Sequence, residues 1–294
     1  MKKLYGIGVA LVTPFEANGE IDFPSLKKVL NHTSGSVDYF VVMGTTGESV
    51  TLSKEEKKQV LDFVLKNNPR KLPIVYGIGG NNTAAVLEEI QQTDLSQVDA
   101  LLSVSPAYNK PSQEGIIRHF YSLADQTPVP IILYNVPGRT ASNLTAHTIL
   151  RLAEHKKIVG VKEASGNLEQ CMKIVKEKPS DFMLISGDDL LTLPIYAIGG
   201  VGVISVLANA YPVVFKKMKE AILANNYGRA QKELFKLVDI NGPMYEEGNP
   251  VGVKQLLHDM GVCKAHVRLP LVAASIQLSE KIRSIHSATK KGQR

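Results

Sequence analysis

Eight short apolar runs constrain the fold of this chain more than any other feature of its sequence. They recur about every thirty residues, are rich in Val, Ile and Leu, and are each followed by an amphipathic stretch. The runs span residues 8–12, 39–43, 73–76, 100–104, 131–134, 158–162, 183–186 and 201–205. Near-continuous apolar runs are typical of parallel strands that are covered on both faces.

The stretches between the runs have helical patterns. In residues 53–65, Ser53 stands three residues before Glu56, which is the pattern of a capping box, and an apolar stripe follows. Similar segments span residues 82–90, 112–123, 145–152 and 167–175. Eight strand–helix units without a long linker predict an α/β fold, a (β/α)8 TIM barrel. An open doubly wound sheet is the alternative, but no G-x-G-x-x-G motif follows the first run.

The strand pattern stops after about residue 212, and helical patterns continue over residues 213–237, 250–260 and 279–285. We therefore predict a barrel over residues 1–225 and a helical C-terminal extension over residues 226–294.

Composition excludes several classes of protein. The net charge of +6 is mild, and the one basic cluster, Lys290, Lys291 and Arg294, is predicted to be a solvated tail, so we expect no nucleic-acid partner. The N-terminus lacks a signal peptide, and no apolar run approaches the roughly 18 residues of a membrane span. The cysteines, Cys171 and Cys263, lie outside disulfide or metal-binding patterns. These features predict a soluble cytoplasmic protein without a membrane partner.

Polar residues that follow the strands are the candidates for an active site, because the loops after the strands form the active face of such barrels. The second run ends in Gly44-Thr45-Thr46-Gly47-Glu48-Ser49. Two hydroxyls between glycines, just before a helix, can bind an anion such as a carboxylate. The alternative is a turn with hydroxyl caps.

The fifth run ends in Tyr134-Asn135-Val136-Pro137-Gly138-Arg139-Thr140. A Pro-Gly turn would set Arg139 beside the strand end, where its guanidinium can bind a carboxylate through two parallel hydrogen bonds. Tyr134 can donate or accept a proton. The alternatives are a solvated surface charge at Arg139 and a core residue at Tyr134.

The sixth run places Lys162 inside an otherwise apolar strand, in the segment 160–166. Because side chains alternate along a strand, Lys162 shares its face with Gly160 and Ala164, whose small side chains are predicted to leave space for a ligand. Burial penalises a charged ammonium, and the neutral amine is the form that attacks a carbonyl. The alternative is a lysine that extends to the barrel mouth as a plain cation.

Together these segments resemble the dihydrodipicolinate synthase and N-acetylneuraminate lyase family of class I aldolases. The likeness covers nearly the whole chain, with residues 44–48, 134–140 and 160–163 in the family's order and spacing. Arg139 and Glu163 resemble the synthase branch, as does the segment 105–111.

The resemblance implies a fold, a reaction and a set of site residues. The implied reaction joins pyruvate to L-aspartate 4-semialdehyde, at the entry to diaminopimelate and lysine biosynthesis, with no cofactor and no metal, since pyruvate is bound covalently as substrate. Lys162 would form the Schiff base. Tyr134, Thr45 and Tyr108 would relay protons, with Tyr108 supplied by a neighbouring subunit of a homotetramer, a dimer of dimers. The implied substrate-binding residues are Thr46, Arg139, Gly187 and Ile204.

The resemblance also bears on regulation. Members inhibited by lysine bind it at a subunit interface through a histidine, a glutamate and a tyrosine, helped by a serine and an asparagine. Ser49 and Asn81 match, but Lys57, Ala85 and Ala107 stand where the other three would be. We therefore expect weak or absent inhibition by lysine.

Two other functions compete with this one. A neuraminate lyase or a 2-keto-3-deoxy sugar-acid aldolase would share Lys162 and Tyr134, but Arg139 argues against a pocket for a polyol chain. A non-catalytic barrel that senses a keto acid is the alternative from another class, and the joint presence of all four implied catalytic residues argues against it.

Overall fold

The eight predicted strands follow one another in sequence order around a closed barrel. This computed structural model describes residues 1–291. The strands are β1 (Gly6–Ala10), β2 (Tyr39–Val42), β3 (Ile74–Gly77), β4 (Ala100–Val104), β5 (Ile131–Asn135), β6 (Ile158–Glu163), β7 (Met183–Ser186) and β8 (Gly202–Ser205). Helices alternate with them, which confirms the predicted (β/α)8 TIM barrel.

Thirteen α-helices lie between and after the strands in the described chain. They are α1 (Phe23–Ser34), α2 (Lys54–Asn67), α3 (Thr83–Gln92), α4 (Gln113–Gln126), α5 (Pro137–Thr140), α6 (Ala146–Ala153), α7 (Leu168–Glu177), α8 (Thr192–Ala197), α9 (Pro212–Leu223), α10 (Tyr227–Phe235), α11 (Val238–Asn241), α12 (Val251–Asp259) and α13 (Ile276–Lys291). The capping box predicted at α2 is present, with Ser53 and Glu56 each bonding the other's backbone N–H.

The boundaries of β1 differ from the prediction. The first apolar run, residues 8–12, predicts a strand two residues later than β1 begins. The Gly6 N–H donates to the Val201 oxygen at 2.8 Å, and this bond extends the pairing toward the N-terminus. Apolar periodicity locates a strand, whereas the hydrogen-bonded partner determines its ends.

Four helices were not named in the sequence prediction: α1, α8 and the single turns α5 and α11. In α1, the Asp22 side chain accepts from the Ser25 N–H at 2.9 Å, a recognisable N-cap that precedes an amphipathic helix. In α8, six residues with Pro194 inside begin without a side-chain cap, so neither a start signal nor a full apolar stripe marks it.

The chain forms two compact units. Unit 1 comprises Met1–Gly8 and Pro73–Ile204, and unit 2 comprises Val9–Leu72 and the described chain from Ser205. The predicted division after residue 225 remains a proposal, and the side chains of the predicted basic tail lie outside the described residues. Across residues 1–291, none of the helices combines the length and hydrophobicity needed to cross a membrane.

The register of β5 and β6 in unit 1 determines which side chains lie beside Lys162. The two strands are parallel, and Tyr134 pairs with Lys162 while Asn135 pairs with Glu163. Side chains alternate along each strand, so Lys162 and Tyr134 share one face and Glu163 and Asn135 share the other.

Gly160 does not have the role that its small size predicts. A Cβ at this position would lie 2.8 Å from both the Cβ and the carbonyl oxygen of Met183 on β7. The prediction that Gly160 leaves space for a ligand is therefore wrong, because the neighbouring strand already occupies that space.

Candidate active site

Lys162 is a buried lysine without an acidic partner. Only 5% of the residue is exposed, and its Nζ lies 4.2 Å from the centroid of the Tyr134 ring. Within the described part of the chain, no carboxylate lies within ion-pair distance of this amine. The face of an aromatic ring attracts an ammonium only modestly, by about 0.5–2 kcal/mol. The site therefore holds an amine that is shielded from water and in contact with a phenol.

Gly187 lies directly against the Lys162 side chain. A Cβ on Gly187 would be 2.7 Å from the Ala164 Cβ and 3.1 Å from the Lys162 Cε. A side chain here would overlap Ala164 and crowd the lysine, so the glycine lets the chain after β7 pack closely against Ala164 and Lys162. Ile204, at the end of β8, is fully buried.

Arg139 and Tyr108 lie in exposed segments of unit 1. Arg139 is carried by α5, a single helical turn with Pro137 at its start, and its backbone N–H donates to the Val136 oxygen at 2.9 Å. The guanidinium is thus presented by a short helix rather than by a Pro-Gly turn. Tyr108 is 88% exposed and has a left-handed backbone, with φ of 71°.

Thr45 and Thr46 belong to unit 2, where they begin a 3-10 turn after β2. Thr46 is buried, and its Oγ1 accepts a hydrogen bond from Asn249 Nδ2 at 3.0 Å. Because Asn249 supplies the proton in that bond, the hydroxyl hydrogen of Thr46 can be donated to an anion. Sequence reasoning missed Asn249, which no motif marks.

Unit 2 also contains a buried ion pair that sequence reasoning missed. Lys254, on α12, is completely buried, and its Nζ donates to Glu48 Oε1 at 2.5 Å and to the His266 oxygen at 2.8 Å. Glu48 also accepts from the Arg268 N–H at 3.0 Å. Burial lowers the pKa of Lys254 from its ordinary value, and the charge and hydrogen bond of Glu48 act in the opposite direction.

A second ion pair adjoins the first. Arg268 donates to both carboxylate oxygens of Glu56, at 2.5 and 3.0 Å, in a bidentate arrangement. The Arg268 hydrogen bond is the largest cause that lowers the pKa of Glu56 to about 2. Both cations lie over the Phe15 ring: Lys254 Nζ is 4.1 Å and Arg268 Cζ is 4.5 Å from the ring centroid. We call Glu48, Glu56, Lys254 and Arg268 the ionic cluster.

The segments of unit 1 that contain Asn81 and Ala107 are joined by hydrogen bonds. Asn81 Nδ2 donates to the Ala107 oxygen at 3.1 Å, and Asn109 Nδ2 donates to the Asn81 oxygen at 3.0 Å. Ala85 is exposed and provides no carboxylate for a ligand ammonium.

Comparison with known proteins gives consistent matches over almost the full length. Residues 3–289 match the model of the dihydrodipicolinate synthetase family. A protein from Cytophaga hutchinsonii, named 4-hydroxy-tetrahydrodipicolinate synthase, is 50% identical over 287 residues, which cover 97% of each chain. One from Flavobacterium psychrophilum with the same name is 47% identical, over 96% of this chain and 97% of that one.

Solved structures agree with these sequence matches. The 4-hydroxy-tetrahydrodipicolinate synthase of Methylacidiphilum fumariolicum superposes with a TM-score of 0.94 at 37% identity, covering 98% of this chain and 96% of that one. A monomeric dihydrodipicolinate synthase variant gives a TM-score of 0.95 at 34% identity, covering 98% and 97%.

Proposed function

The chain belongs to the dihydrodipicolinate synthetase family, and from this premise we propose that it condenses pyruvate with L-aspartate 4-semialdehyde. It is a lyase of the Schiff-base class I aldolase type, with the activity of a 4-hydroxy-tetrahydrodipicolinate synthase in lysine and diaminopimelate biosynthesis. The observation that carries the mechanism is Lys162, a buried amine without an acidic partner, in contact with Tyr134.

The proposed reaction proceeds through an imine on Lys162. The amine attacks C2 of pyruvate, water leaves, and the protonated imine withdraws electrons from the adjacent methyl group. Loss of a methyl proton gives an enamine, whose carbon attacks the aldehyde carbon of the semialdehyde. The amino group of that substrate then attacks the imine carbon, which closes the ring and releases Lys162. The protonated imine is itself the electron sink, so the mechanism needs neither a metal nor an organic cofactor.

Proton transfer is proposed for Tyr134, Thr45 and Tyr108. The contact between Lys162 and the Tyr134 ring supports a role for this tyrosine in the imine steps. A chain of hydroxyl groups can pass protons out of a site that excludes water.

Substrate binding is proposed for four residues. The hydroxyl of Thr46, which Asn249 leaves as a donor, would bind the pyruvate carboxylate. The exposed guanidinium of Arg139 would bind the semialdehyde carboxylate. Gly187, which packs against the Lys162 side chain, and Ile204 would line the site.

The proposed assembly is a homotetramer, a dimer of dimers in which Tyr108 reaches a neighbouring subunit. An aromatic side chain that is 88% exposed supports such a contact. Sedimentation of the purified chain tests this assembly, and a monomer would contradict it. We also propose a cytoplasmic location, because Cys171 and Cys263 are both unpaired and buried.

A coupled assay with pyruvate and L-aspartate 4-semialdehyde tests the reaction. We expect turnover with this pair and none when pyruvate is paired with a sugar-acid aldehyde. An imine with pyruvate but no turnover with the semialdehyde would instead favour a 2-keto-3-deoxy sugar-acid aldolase.

Weak or absent inhibition by lysine is a further expectation. Ala85 and Ala107 cannot supply the acceptor and the hydroxyl that the family's site uses, and Lys57 adds positive charge near a cationic ligand. The assay should give the same rate with and without 1 mM lysine, roughly the scale of a weak site. Strong inhibition below that concentration would contradict the expectation.

A further inference from the structure

Glu163 follows Lys162 in β6, and its carboxylate is buried on the opposite face of the strand. Oε1 accepts from the Ser165 N–H at 2.8 Å and from Asn135 Nδ2 at 3.1 Å. Oε2 accepts from Asn135 Nδ2 at 3.0 Å and from Gln170 Nε2 at 2.9 Å. All these neighbours are donors, which suits an acceptor-only carboxylate.

The hydrogen bonds leave Asn135 one orientation. Its Oδ1 accepts from the Leu144 N–H at 3.0 Å, so its Nδ2 must face Glu163 and the Asn143 Oδ1, which is 2.7 Å away. Gln170 is oriented in the same way, because its Oε1 accepts from Asn143 Nδ2 at 2.8 Å. Asn135 is completely buried, and this network, which we call the rear network, has a single pattern of donors and acceptors.

The rear network joins β5 to β6 immediately behind the reactive amine. Asn135 and Glu163 are register partners, one residue beyond the partners Tyr134 and Lys162. Nearer the start of the strands the register shifts: Ile131 pairs with Ile158, but the next residue, Ile132, pairs with Gly160. One residue of β6, Val159, is therefore passed over. The extra residue of β6 means that pairing at the start of the strands does not determine which residue faces Tyr134.

A buried carboxylate without a cation is costly, and apolar side chains of similar volume would pack more cheaply. Within residues 1–289, whose side chains the structure describes, no lysine, arginine or histidine lies within ion-pair distance of Glu163. Stability alone therefore does not account for this residue. We propose that Glu163 is a positioning residue: through Asn135 it fixes the register downstream of the shift, in which Lys162 meets Tyr134. The inference rests on the proposed function, because the imine chemistry is what is positioned.

The test follows the rate at which borohydride traps the pyruvate adduct at saturating pyruvate. Glu163→Gln and Asn135→Ala should each slow adduct formation by about tenfold or more, because small misplacements of reacting groups have large effects on rate. The KM for pyruvate should change by less than about threefold, since the loss is in the chemical step. If Asn135→Ala does not fold, the nearly isosteric Glu163→Gln decides.

Gln170→Leu is the matched control. Gln170 donates to the same carboxylate and is similarly buried, but it lies on α7 and does not join the two strands. This variant should lose thermal stability while its trapping rate stays within about threefold of the wild type.

The outcomes separate this inference from the proposed function. Wild-type adduct formation with unchanged rates in Glu163→Gln and Asn135→Ala would overturn the inference alone. Equal rate losses in these variants and in Gln170→Leu would also overturn it, because they would indicate a purely structural network. A wild-type protein that forms no adduct would overturn the proposed function and this inference together.

Discussion

The chain buries two lysines in opposite ways. Lys162 in β6 has an aromatic ring as its neighbour and no acid, whereas Lys254 in α12 donates to the buried carboxylate of Glu48 at 2.5 Å. Both are hidden from solvent, with 5% and 0% of the residue exposed. Burial alone therefore does not identify a reactive lysine. The partner does: a carboxylate holds the Lys254 amine in an ion pair, whereas the Lys162 amine has no such partner to hold it away from a carbonyl.

The negative charges differ correspondingly. Glu48 is within hydrogen-bonding distance of Lys254, so this buried carboxylate of unit 2 is paired directly with a cation. In unit 1, Glu163 is surrounded by neutral amide and backbone donors, and the neighbouring Lys162 lies on the other face of the strand. Glu163 therefore does not pair with Lys162, whereas Glu48 pairs with Lys254.

The largest expected effect comes from replacing Lys162. Lys162→Met should lower turnover by about a thousandfold or more, because the proposed imine forms on this amine. Its thermal stability should be equal to or above that of the wild type, because an unpaired buried amine is replaced by an apolar side chain. A smaller loss of turnover would contradict the role of Lys162 as the imine-forming amine. Thermal unfolding of the variant and the wild type measures the change in stability.

The same substitution at Lys254 should have the opposite outcome. Lys254→Met leaves Glu48 buried without its cation and should reduce the free energy of unfolding by about 3–5 kcal/mol. Glu48→Gln combined with Lys254→Met removes both charges and keeps an acceptor for the Arg268 N–H, so much of that loss should be recovered. Denaturant unfolding measures the stability of Lys254→Met and of the double variant. Equal stability of these two variants would contradict direct pairing of Lys254 with Glu48.

Tyr134→Phe tests what the neighbour of Lys162 contributes. The ring that contacts the amine remains, but the hydroxyl is lost, so proton transfer should slow by about a hundredfold. The borohydride-trapped adduct with pyruvate should still form. Full turnover in this variant would exclude Tyr134 from the proton relay.

The smallest expected effect concerns acid stability of the ionic cluster. Glu56 has a folded pKa of about 2, below its ordinary value of 4.5, chiefly because of Arg268. A lowered acid pKa stabilises the fold above about pH 4.5, and this contribution is lost as the pH falls toward 2. After screening at a partly exposed site we expect about 1 kcal/mol.

Melting temperatures from pH 7 to pH 2 measure this contribution. Glu56→Gln should lower the melting temperature near neutral pH and flatten its acid dependence. Glu114→Gln is the control, because Glu114 pairs with arginines in a more exposed setting and should change little. Parallel acid curves for wild type and Glu56→Gln would contradict the expectation.

The two lysines also show what a sequence can reveal. Lys162 is conspicuous because it interrupts an apolar strand, and one residue in a period-two pattern is enough to mark it. Lys254 lies in a helix, where a lysine normally faces solvent, and its partner Glu48 is 206 residues away in the sequence. Nothing local predicts that contact. The same limit applies to Asn249, whose bond to Thr46 spans 203 residues.

The barrel itself could be predicted because its signal is repeated eight times. Each apolar run is ambiguous alone, but eight runs alternating with helical segments leave few architectures. Strand ends and the role of Gly160 could not be predicted, because both depend on which neighbouring strand approaches and how closely.

The position of the pyruvate adduct tests most directly whether Lys162 is the reactive lysine. The protein is incubated with pyruvate, reduced with borohydride and digested, and the modified peptide is identified by mass spectrometry. We expect a pyruvate adduct on Lys162 and an unmodified Lys254. An adduct on Lys254, or no adduct at all, would contradict the claim that the buried lysine without an acidic partner is the one that carries the chemistry.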